Sequence, residues 1–179
     1  AASDVYKRQF PYLSIGSTRA YACRATTYEG LADFESAQAD WEKCVELSPD
    51  DYKTGCEAGL LAARIQRGSV ELDQAMEEVK ALPLNRRVPW SSEYVARFYV
   101  IAANLNKGRS EELMDLAIQT LRDSLRGRAD HVRLVSDPEF SRLRERPEYQ
   151  EFLGRMGFKQ QEAGDLTGSS TQAVGSSLP

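Results

Sequence analysis

The sequence predicts an all-α protein built from antiparallel helical hairpins, and three observations support this prediction. Apolar residues recur at spacings of three and four through most of the chain, which is the period of a helix buried along one side. Glycine, proline and acidic residues separate these segments, as they do where helices begin and end. Small side chains stand where two helices would cross, with bulky rings beside them.

The first hairpin is the clearest and occupies residues 21–50. Ala25 precedes the turn, and Ala37 and Trp41 follow it, with the spacing of one helix face on each side. The two alanines allow close backbone approach, while the indole fills the space beside them. Pro49 ends the second helix, since the residue before a proline is displaced from the α region. The predicted helices cover residues 18–29 and 34–47.

The second hairpin begins at Asp50, whose carboxylate is a candidate helix N-cap. Gly68 is expected to end this helix, because glycine readily adopts the left-handed conformation that follows a helix. A second helix over residues 70–82 then carries one apolar stripe. A proline-containing linker, residues 81–90, follows it. The stripe consists of Leu72, Ala75, Met76, Val79 and Leu82.

The third hairpin begins with a helix that Ser91 or Ser92 can cap. This helix, which extends to about residue 105, is apolar around its whole circumference. Such a pattern indicates a helix that is covered on two sides. A turn with Gly108 then leads into a helix over residues 110–125, which has a single apolar stripe.

Two short helices are predicted near the C-terminus, each starting at a proline, Pro138 and Pro147. We expect them to cap the open end of the stack. Residues 157–179 are rich in glycine and serine and are predicted to be disordered. The repeat domain therefore spans residues 18–156. The short helices are expected to bury Phe140, Leu143, Tyr149, Phe152 and Leu153.

The N-terminal residues 1–17 are expected to be irregular or non-native. Residues 2–9, ASDVYKRQ, resemble the translation of a sequencing adapter, so they are excluded from the prediction of fold. If this interpretation is right, the native protein continues upstream of Phe10.

The first hairpin resembles the tetratricopeptide repeat, a 34-residue helical hairpin. The resemblance implies an α-solenoid of about three hairpins. Three positions depart from the family pattern, which prefers leucine at Arg24, glycine at Ala25 and alanine at Cys44. The matching residues are Tyr21, Ala25, Tyr28, Ala37, Trp41 and Pro49.

Residues 20–156 also resemble the C-terminal repeat region of large bacterial serine/threonine protein kinases of the planctomycete type. The segment from Tyr94 to Arg97 departs from the family, which has an Asn-Ala-Ala-Cys-like sequence there. The resemblance implies a sensor or scaffold segment without catalytic activity, and the chain lacks the glycine-rich loop and the HRD and DFG motifs of a kinase domain. The motif residues that carry it are Asp137, Pro138, Phe140, Leu143, Arg144, Pro147, Tyr149 and Leu153.

Composition argues against several classes of protein. The net charge of −4 does not favour a nucleic-acid binder, which needs clustered Lys and Arg. No apolar run is long enough for a membrane helix. Cys23, Cys44 and Cys56 form an odd set without CxxC spacing, so we expect buried thiols in a reducing, cytoplasmic compartment and no disulfide, metal site or cofactor.

The repeat resemblance also implies a binding surface for a peptide, a partner helix or another domain of the parent protein. This surface would be the concave face formed by the first helix of each hairpin. Family members that hold a terminal carboxylate use Lys and Asn where this chain has Ala22 and Thr26, so that ligand is not expected. The predicted face comprises Ala22, Thr26, Glu29, Lys53, Leu60, Arg64, Tyr94, Phe98 and Ile101.

Two alternative functions remain open. The chain could be a stand-alone repeat adaptor unrelated to a kinase. It could also be a small helical enzyme, in which case His131, the only histidine, would be the candidate acid or base. The sequence around His131 favours a surface position at a turn. The carboxylates elsewhere have the distribution of a solvated helix face, so no catalytic residue is assigned.

Overall fold

The computed structural model describes residues 11–84, 88–124 and 132–158. These residues form helices and turns and contain no strand, which confirms the all-α prediction. The chain divides into two compact units between residues 126 and 127, within the segment predicted as one domain. The first unit contains α1 (Pro11–Gly30), α2 (Phe34–Leu47), α3 (Asp50–Arg67), α4 (Leu72–Ala81), α5 (Pro89–Leu105) and α6 (Ser110–Ser124), and the second contains α7 (Val132–Ser136), α8 (Ser141–Arg144) and α9 (Pro147–Arg155).

Two helices begin earlier than the sequence analysis predicted. Helix α1 starts at Pro11, so residues 11–17 are helical rather than irregular. Helix α5 starts at Pro89, with Val88 at the N-cap, and the two candidate serine caps lie buried inside it. In both helices proline takes the first turn, where its missing N–H leaves no hydrogen bond unmade.

The ends of α3 show which predicted signals act as caps. Pro49 is the N-cap, so Asp50 lies one residue further on and contributes negative charge to the first turn instead. At the other end Gly68 adopts a left-handed conformation with φ of 74°. The N–H of Ser69 donates to the carbonyl of Arg64 at 2.9 Å, which completes the predicted glycine stop.

The turn between α1 and α2 is held by Asp33, whose Oδ1 accepts a hydrogen bond from the N–H of Ser36 at 3.1 Å. The residue before this cap, Ala32, has a φ of 58°. A left-handed conformation is unfavourable for a residue with a Cβ atom. The chain accepts it here because the cap fixes the start of α2.

Successive helices of the first unit pack against each other, and α3 and α5 form its centre. Helix α1 packs on α2, α2 on α3, and α5 on both α3 and α6, whereas α4 contacts α3 less extensively. Trp90 at the start of α5 lies over Gly55 near the start of α3. The Ser91 hydroxyl donates to the carbonyl of Asp51 at 3.4 Å. These contacts place the starts of α3 and α5 next to each other.

Ion pairs join neighbouring hairpins of the first unit at their turns. Arg67 at the end of α3 pairs with Glu35 at the start of α2, with 3.6 Å between nitrogen and oxygen. Arg109, in a 3₁₀ turn before α6, pairs with Asp73 at the start of α4 at 2.9 Å. Both pairs are solvent-exposed, so they position the turns more than they stabilise the unit.

The second unit is built from the residues of the C-terminal motif. The Tyr149 hydroxyl donates to the carbonyl of Leu134 at 3.0 Å. Helix α9 ends at Arg155 and is followed by Met156 and by Gly157, which has a φ of 85°. The N–H of Phe158 donates to the carbonyl of Leu153. Phe158 is buried, so the compact unit extends two residues into the predicted tail, and the rest of that tail lies outside the described residues. The predicted burial of Phe140, Leu143, Tyr149, Phe152 and Leu153 is confirmed.

Candidate functional site

Two glycines of α3 make the centre of the first unit possible. A Cβ atom at Gly59 would lie 2.6 Å from the indole ring of Trp41, and one at Gly55 would lie 2.6 Å from the ring of Trp90. Real Cβ atoms do not approach a ring so closely. Helix α3 therefore accepts two residues of low helix propensity because the indoles occupy the space that side chains would need.

An aromatic cluster extends from this centre to the surface. The centroids of Trp41 and Tyr94 are 5.1 Å apart, and those of Tyr94 and Trp90 are 4.7 Å apart, both pairs with T-shaped geometry. Tyr52 lies 5.7 Å from Trp90 at the outer end, where both rings are half-buried. Edge-to-face contacts of this kind add to the stabilisation that ring burial supplies.

A buried polar network lies beside the cluster and connects three helices. Glu29 of α1 accepts a hydrogen bond from the indole N–H of Trp41 at 2.9 Å. The second oxygen of its carboxylate forms an ion pair with Arg97 of α5. The two charged side chains are only 1% and 2% exposed. Because each charge would be costly to bury alone, this network fixes how α1, α2 and α5 meet.

A second ion pair joins α1 to α2 nearer the surface. The guanidinium of Arg24 donates two hydrogen bonds to Asp40, at 2.6 Å and 2.7 Å. This bidentate contact, with the attraction of the carboxylate, raises the pKa of Arg24 further above its ordinary value. The pair gives a structural role to the arginine that departs from the repeat pattern.

The structure corrects the prediction that all three cysteines are free. Cys44 of α2 and Cys56 of α3 form a disulfide, with 5.6 Å between their Cα atoms, and Cys23 is the free, exposed thiol. The odd count and the missing CxxC spacing pointed the other way. The two cysteines pair because α2 packs against α3 and brings these positions face to face. No local spacing in the sequence shows this contact.

Three residues of the predicted binding face do not line a groove. Counting backbone and side chain together, Glu29 is 6% exposed, Tyr94 is 2% exposed and Phe98 is fully buried. Glu29 and Tyr94 belong to the network and cluster just described, and Phe98 packs on Tyr99 with ring centroids 5.7 Å apart. Tyr94 and Phe98 are buried because α5 is covered all round between residues 91 and 103, and Glu29 is buried because α1 turns it towards Trp41 and Arg97. Two further residues of that face, Ala22 and Ile101, are buried as well.

The other four predicted residues keep access to solvent. Thr26 is half-buried on α1, and its hydroxyl donates to the carbonyl of Cys23 at 2.9 Å. Lys53 is exposed on α3, while Leu60 and Arg64 of the same helix are half-buried. Arg64 also lies 3.9 Å from a carboxylate oxygen of Glu42 on α2.

The three predicted residues of α3 share one face with Glu57. Their spacing of four, three and four residues places them along a single line of an α-helix. We call this line the α3 strip and define it as Lys53, Glu57, Leu60 and Arg64. It carries both charges and one apolar side chain, and it runs beside faces of α3 that are buried.

The titratable groups of the described residues show no arrangement typical of catalysis. Their shifted pKa values belong chiefly to exposed ion pairs; for example, Lys80 lowers the pKa of Glu77, and Arg109 lowers that of Glu112. In the described part of the chain no three His, Cys, Asp or Glu side chains are grouped to hold a metal ion. His131, the candidate acid or base, lies outside the described residues.

Two other properties of the described residues do not bear on the α3 strip. None of their helices is both long and apolar enough to cross a membrane. An open depression of about 840 Å³ lies on the second unit, and three of its polar side chains bond within the unit. Gln150 donates to the carbonyl of Arg144 at 2.5 Å, and Arg155 pairs with Glu151 at 2.5 Å. The depression is lined by Glu145, Pro147, Gln150, Glu151, Gly154 and Arg155.

Comparisons of the chain with protein-family models, with curated proteins and with solved structures found no match. The fold and the site by themselves define a helical protein with a compact core of hairpins and, on α3, an accessible strip of charged and apolar side chains.

Proposed function

We propose that the chain is a non-catalytic protein–protein interaction module that uses the α3 strip to bind a peptide or a helix of another protein. The observation that carries this proposal is the strip itself. Most other positions of α3 are buried, while Lys53 remains exposed and Leu60 half-buried beside it. A rigid helix that presents a mixed line of charged and apolar side chains is suited to partner recognition.

We further propose that the parent protein is a bacterial serine/threonine kinase and that this segment acts beside its kinase domain in the cytoplasm. The support is the resemblance of residues 20–156 given above. The C-terminal motif supplies structure rather than a site, because its aromatic and leucine side chains, Phe140, Leu143, Tyr149 and Leu153, are buried. Arg144, for example, donates to the carbonyl of Asp137 at 2.8 Å. The resemblance therefore supports a shared architecture, and the binding role comes from the strip.

A charge reversal in the strip tests the proposal. The full chain and its Lys53→Glu variant are immobilised at equal density, and bound proteins from a bacterial lysate are quantified by mass spectrometry. We expect at least one protein to bind the parent chain and to lose most of its binding to the variant, because rim charges govern partner recognition.

A matched control separates the strip from net charge. Lys107→Glu makes the same change in charge at an exposed lysine between α5 and α6. The partner should be retained by this variant. Identical partner profiles for all three proteins would contradict the proposal, as would equal losses from both variants.

A further inference from the structure

We propose that the bridge between Cys44 and Cys56 is a reversible redox clamp between α2, the second helix of the first hairpin, and α3, the first helix of the second hairpin, closed by exchange with a small-molecule disulfide. The proposal concerns a pair of residues outside the α3 strip. It does not depend on the proposed binding function.

The position of the two cysteines allows the bond to form without moving the helices. Cys44 lies in the last turn of α2 and Cys56 in the second turn of α3, on either side of the connection at Ser48 and Pro49. Their Cα atoms are 5.6 Å apart. This separation is within the range that a disulfide spans with unstrained backbones.

The helices α2 and α3 keep their other contacts when the disulfide is reduced. Trp41 of α2 packs on Gly59 of α3, and Arg67 pairs with Glu35 across the two helices. A reduced cysteine packs as a small hydrophobic residue, so two thiols suit the same buried position. Reduction should therefore remove a covalent constraint and leave α2 and α3 folded and packed together. The protein would then have two redox states with the same fold.

Burial controls how the bond is reached. Both cysteines are fully buried, so a thiol or disulfide in solution can react only when the end of α2 separates locally from α3. Such local opening occurs without global unfolding. The disulfide, once formed, opposes that opening. The redox state therefore sets how readily the end of α2 separates from α3.

The exchange is balanced with glutathione disulfide as the oxidant. The thiolate of one cysteine attacks a sulfur of glutathione disulfide, forms a mixed disulfide and releases one glutathione thiolate. The second cysteine thiolate then attacks the protein sulfur of the mixed disulfide and releases the other glutathione. Two protein thiols are oxidised, one glutathione disulfide is reduced to two glutathione molecules, and the reverse reaction opens the clamp.

Peptide mapping of the full chain tests the bond directly. The folded protein is incubated with glutathione disulfide, its free thiols are blocked, and it is digested with trypsin without reductant. We expect residues 44–53 to be linked to residues 54–64, because Lys43, Lys53 and Arg64 are the flanking cleavage positions. Both cysteines recovered as blocked thiols would overturn the proposal.

Reversibility is tested on the same protein in native buffer. Dithiothreitol should convert the linked peptides to separate ones and lower the Tm by roughly 5 to 10 °C, since a crosslink over a short loop restricts the unfolded chain. A bond that resists dithiothreitol until a denaturant is added would be a static crosslink and would overturn the clamp.

Two variants complete the experiment. Cys23→Ser removes the exposed free thiol and should leave the redox shift in Tm unchanged. Cys44→Ala should melt at the same temperature with and without dithiothreitol. If the Cys44→Ala protein kept the redox shift, the Cys44–Cys56 bond would not be its source.

Discussion

At the scale of single residues, the close contact between Gly59 and Trp41 dominates the first unit. Alanine has the higher helix propensity by about 1 kcal/mol, so Gly59→Ala would be favourable in an isolated helix. In the protein a Cβ atom would lie 2.6 Å from a buried ring. Overpacking of this kind costs about 1 to 3 kcal/mol, and the cost should win because the indole is enclosed.

We therefore expect Gly59→Ala to lower the free energy of unfolding, measured with urea, by up to about 2 kcal/mol, which is the overpacking cost less the gain in helix propensity. Gly16→Ala is the control, because Gly16 lies in α1 with no other atom near its missing Cβ. This substitution should raise stability by up to about 1 kcal/mol. Equal effects of the two substitutions would show that helix propensity, and not the ring contact, decides the outcome.

Truncation of the indole gives a prediction from the other side of the same contact. Trp41 is fully buried, so Trp41→Ala should cost about 3 to 5 kcal/mol. The loss combines cavity formation with an unsatisfied carboxylate oxygen of Glu29. Trp90→Ala is the comparison, and it should cost less because that ring is half-buried. Thermal melts measure both losses, and equal Tm values for the two variants would contradict this ranking.

Residue roles could be predicted from sequence only where they follow from periodicity. The burial of Ala25, Ala37 and Trp41 was predicted by their spacing and is confirmed. The burial of Glu29 was not predicted, because a carboxylate near a helix end is usually solvated. Its two partners lie 12 and 68 residues away, and the sequence has no signal for such pairs.

At the scale of the helices, start and stop signals differed in how well they could be predicted. Gly68 ends α3 and Pro147 starts α9 at the predicted places, and Pro138 starts a 3₁₀ turn, Pro138–Phe140, that leads into α8. The serine caps predicted for α5 were wrong, since Pro89 starts the helix one turn earlier. A proline and a serine each favour a helix start, and only packing decides between neighbouring candidates.

The cap of α2 gives a prediction on pH. Hydrogen bonds from the side chain and backbone of Ser36 hold the pKa of Asp33 below its ordinary value of 3.8. Because the pKa is lower in the folded state, the charged cap stabilises the protein above about pH 4. This contribution is lost as the pH falls through the lowered pKa of the folded state.

The variant Asp33→Asn keeps a capping side chain without its charge. We expect the parent chain to be more stable than this variant at pH 7 and the difference to shrink below about pH 4. Urea unfolding of both proteins at several pH values measures this difference in the free energy of unfolding. A difference that stays constant from neutral to acid pH would show that the carboxylate charge does not act at the cap.

At the scale of the whole molecule, contacts between the first and third hairpins set this chain apart from a simple repeat array. In such an array each repeat contacts only its neighbours. Here Glu29 of the first hairpin pairs with Arg97 of the third, and Trp41 touches Tyr94 in the same way. The all-α class follows from periodicity alone. The predicted repeat stacking stays a prediction. The contacts between the first and third hairpins could not be predicted from the sequence, because long-range polar contacts leave no periodic signal.

The buried pair therefore offers a test of how the first unit holds together. In Arg97→Met the carboxylate of Glu29 stays buried without its cation, which should cost about 3 to 5 kcal/mol. Glu29→Gln keeps an acceptor for the indole of Trp41 but removes the carboxylate that pairs with Arg97, which should also be destabilising. The double variant buries neither charge alone, so it should lose much less than the sum of the two single variants.

A double-mutant cycle on the free energy of unfolding measures this coupling, which we expect at about 1 to 3 kcal/mol. The control cycle uses Glu77→Gln and Lys80→Met, an exposed pair within one helix, for which no coupling should be detected. Additive losses at Glu29 and Arg97 would mean that the charges are solvated. The pair of Glu29 and Arg97 would then not act as a buried ion pair between the first and third hairpins.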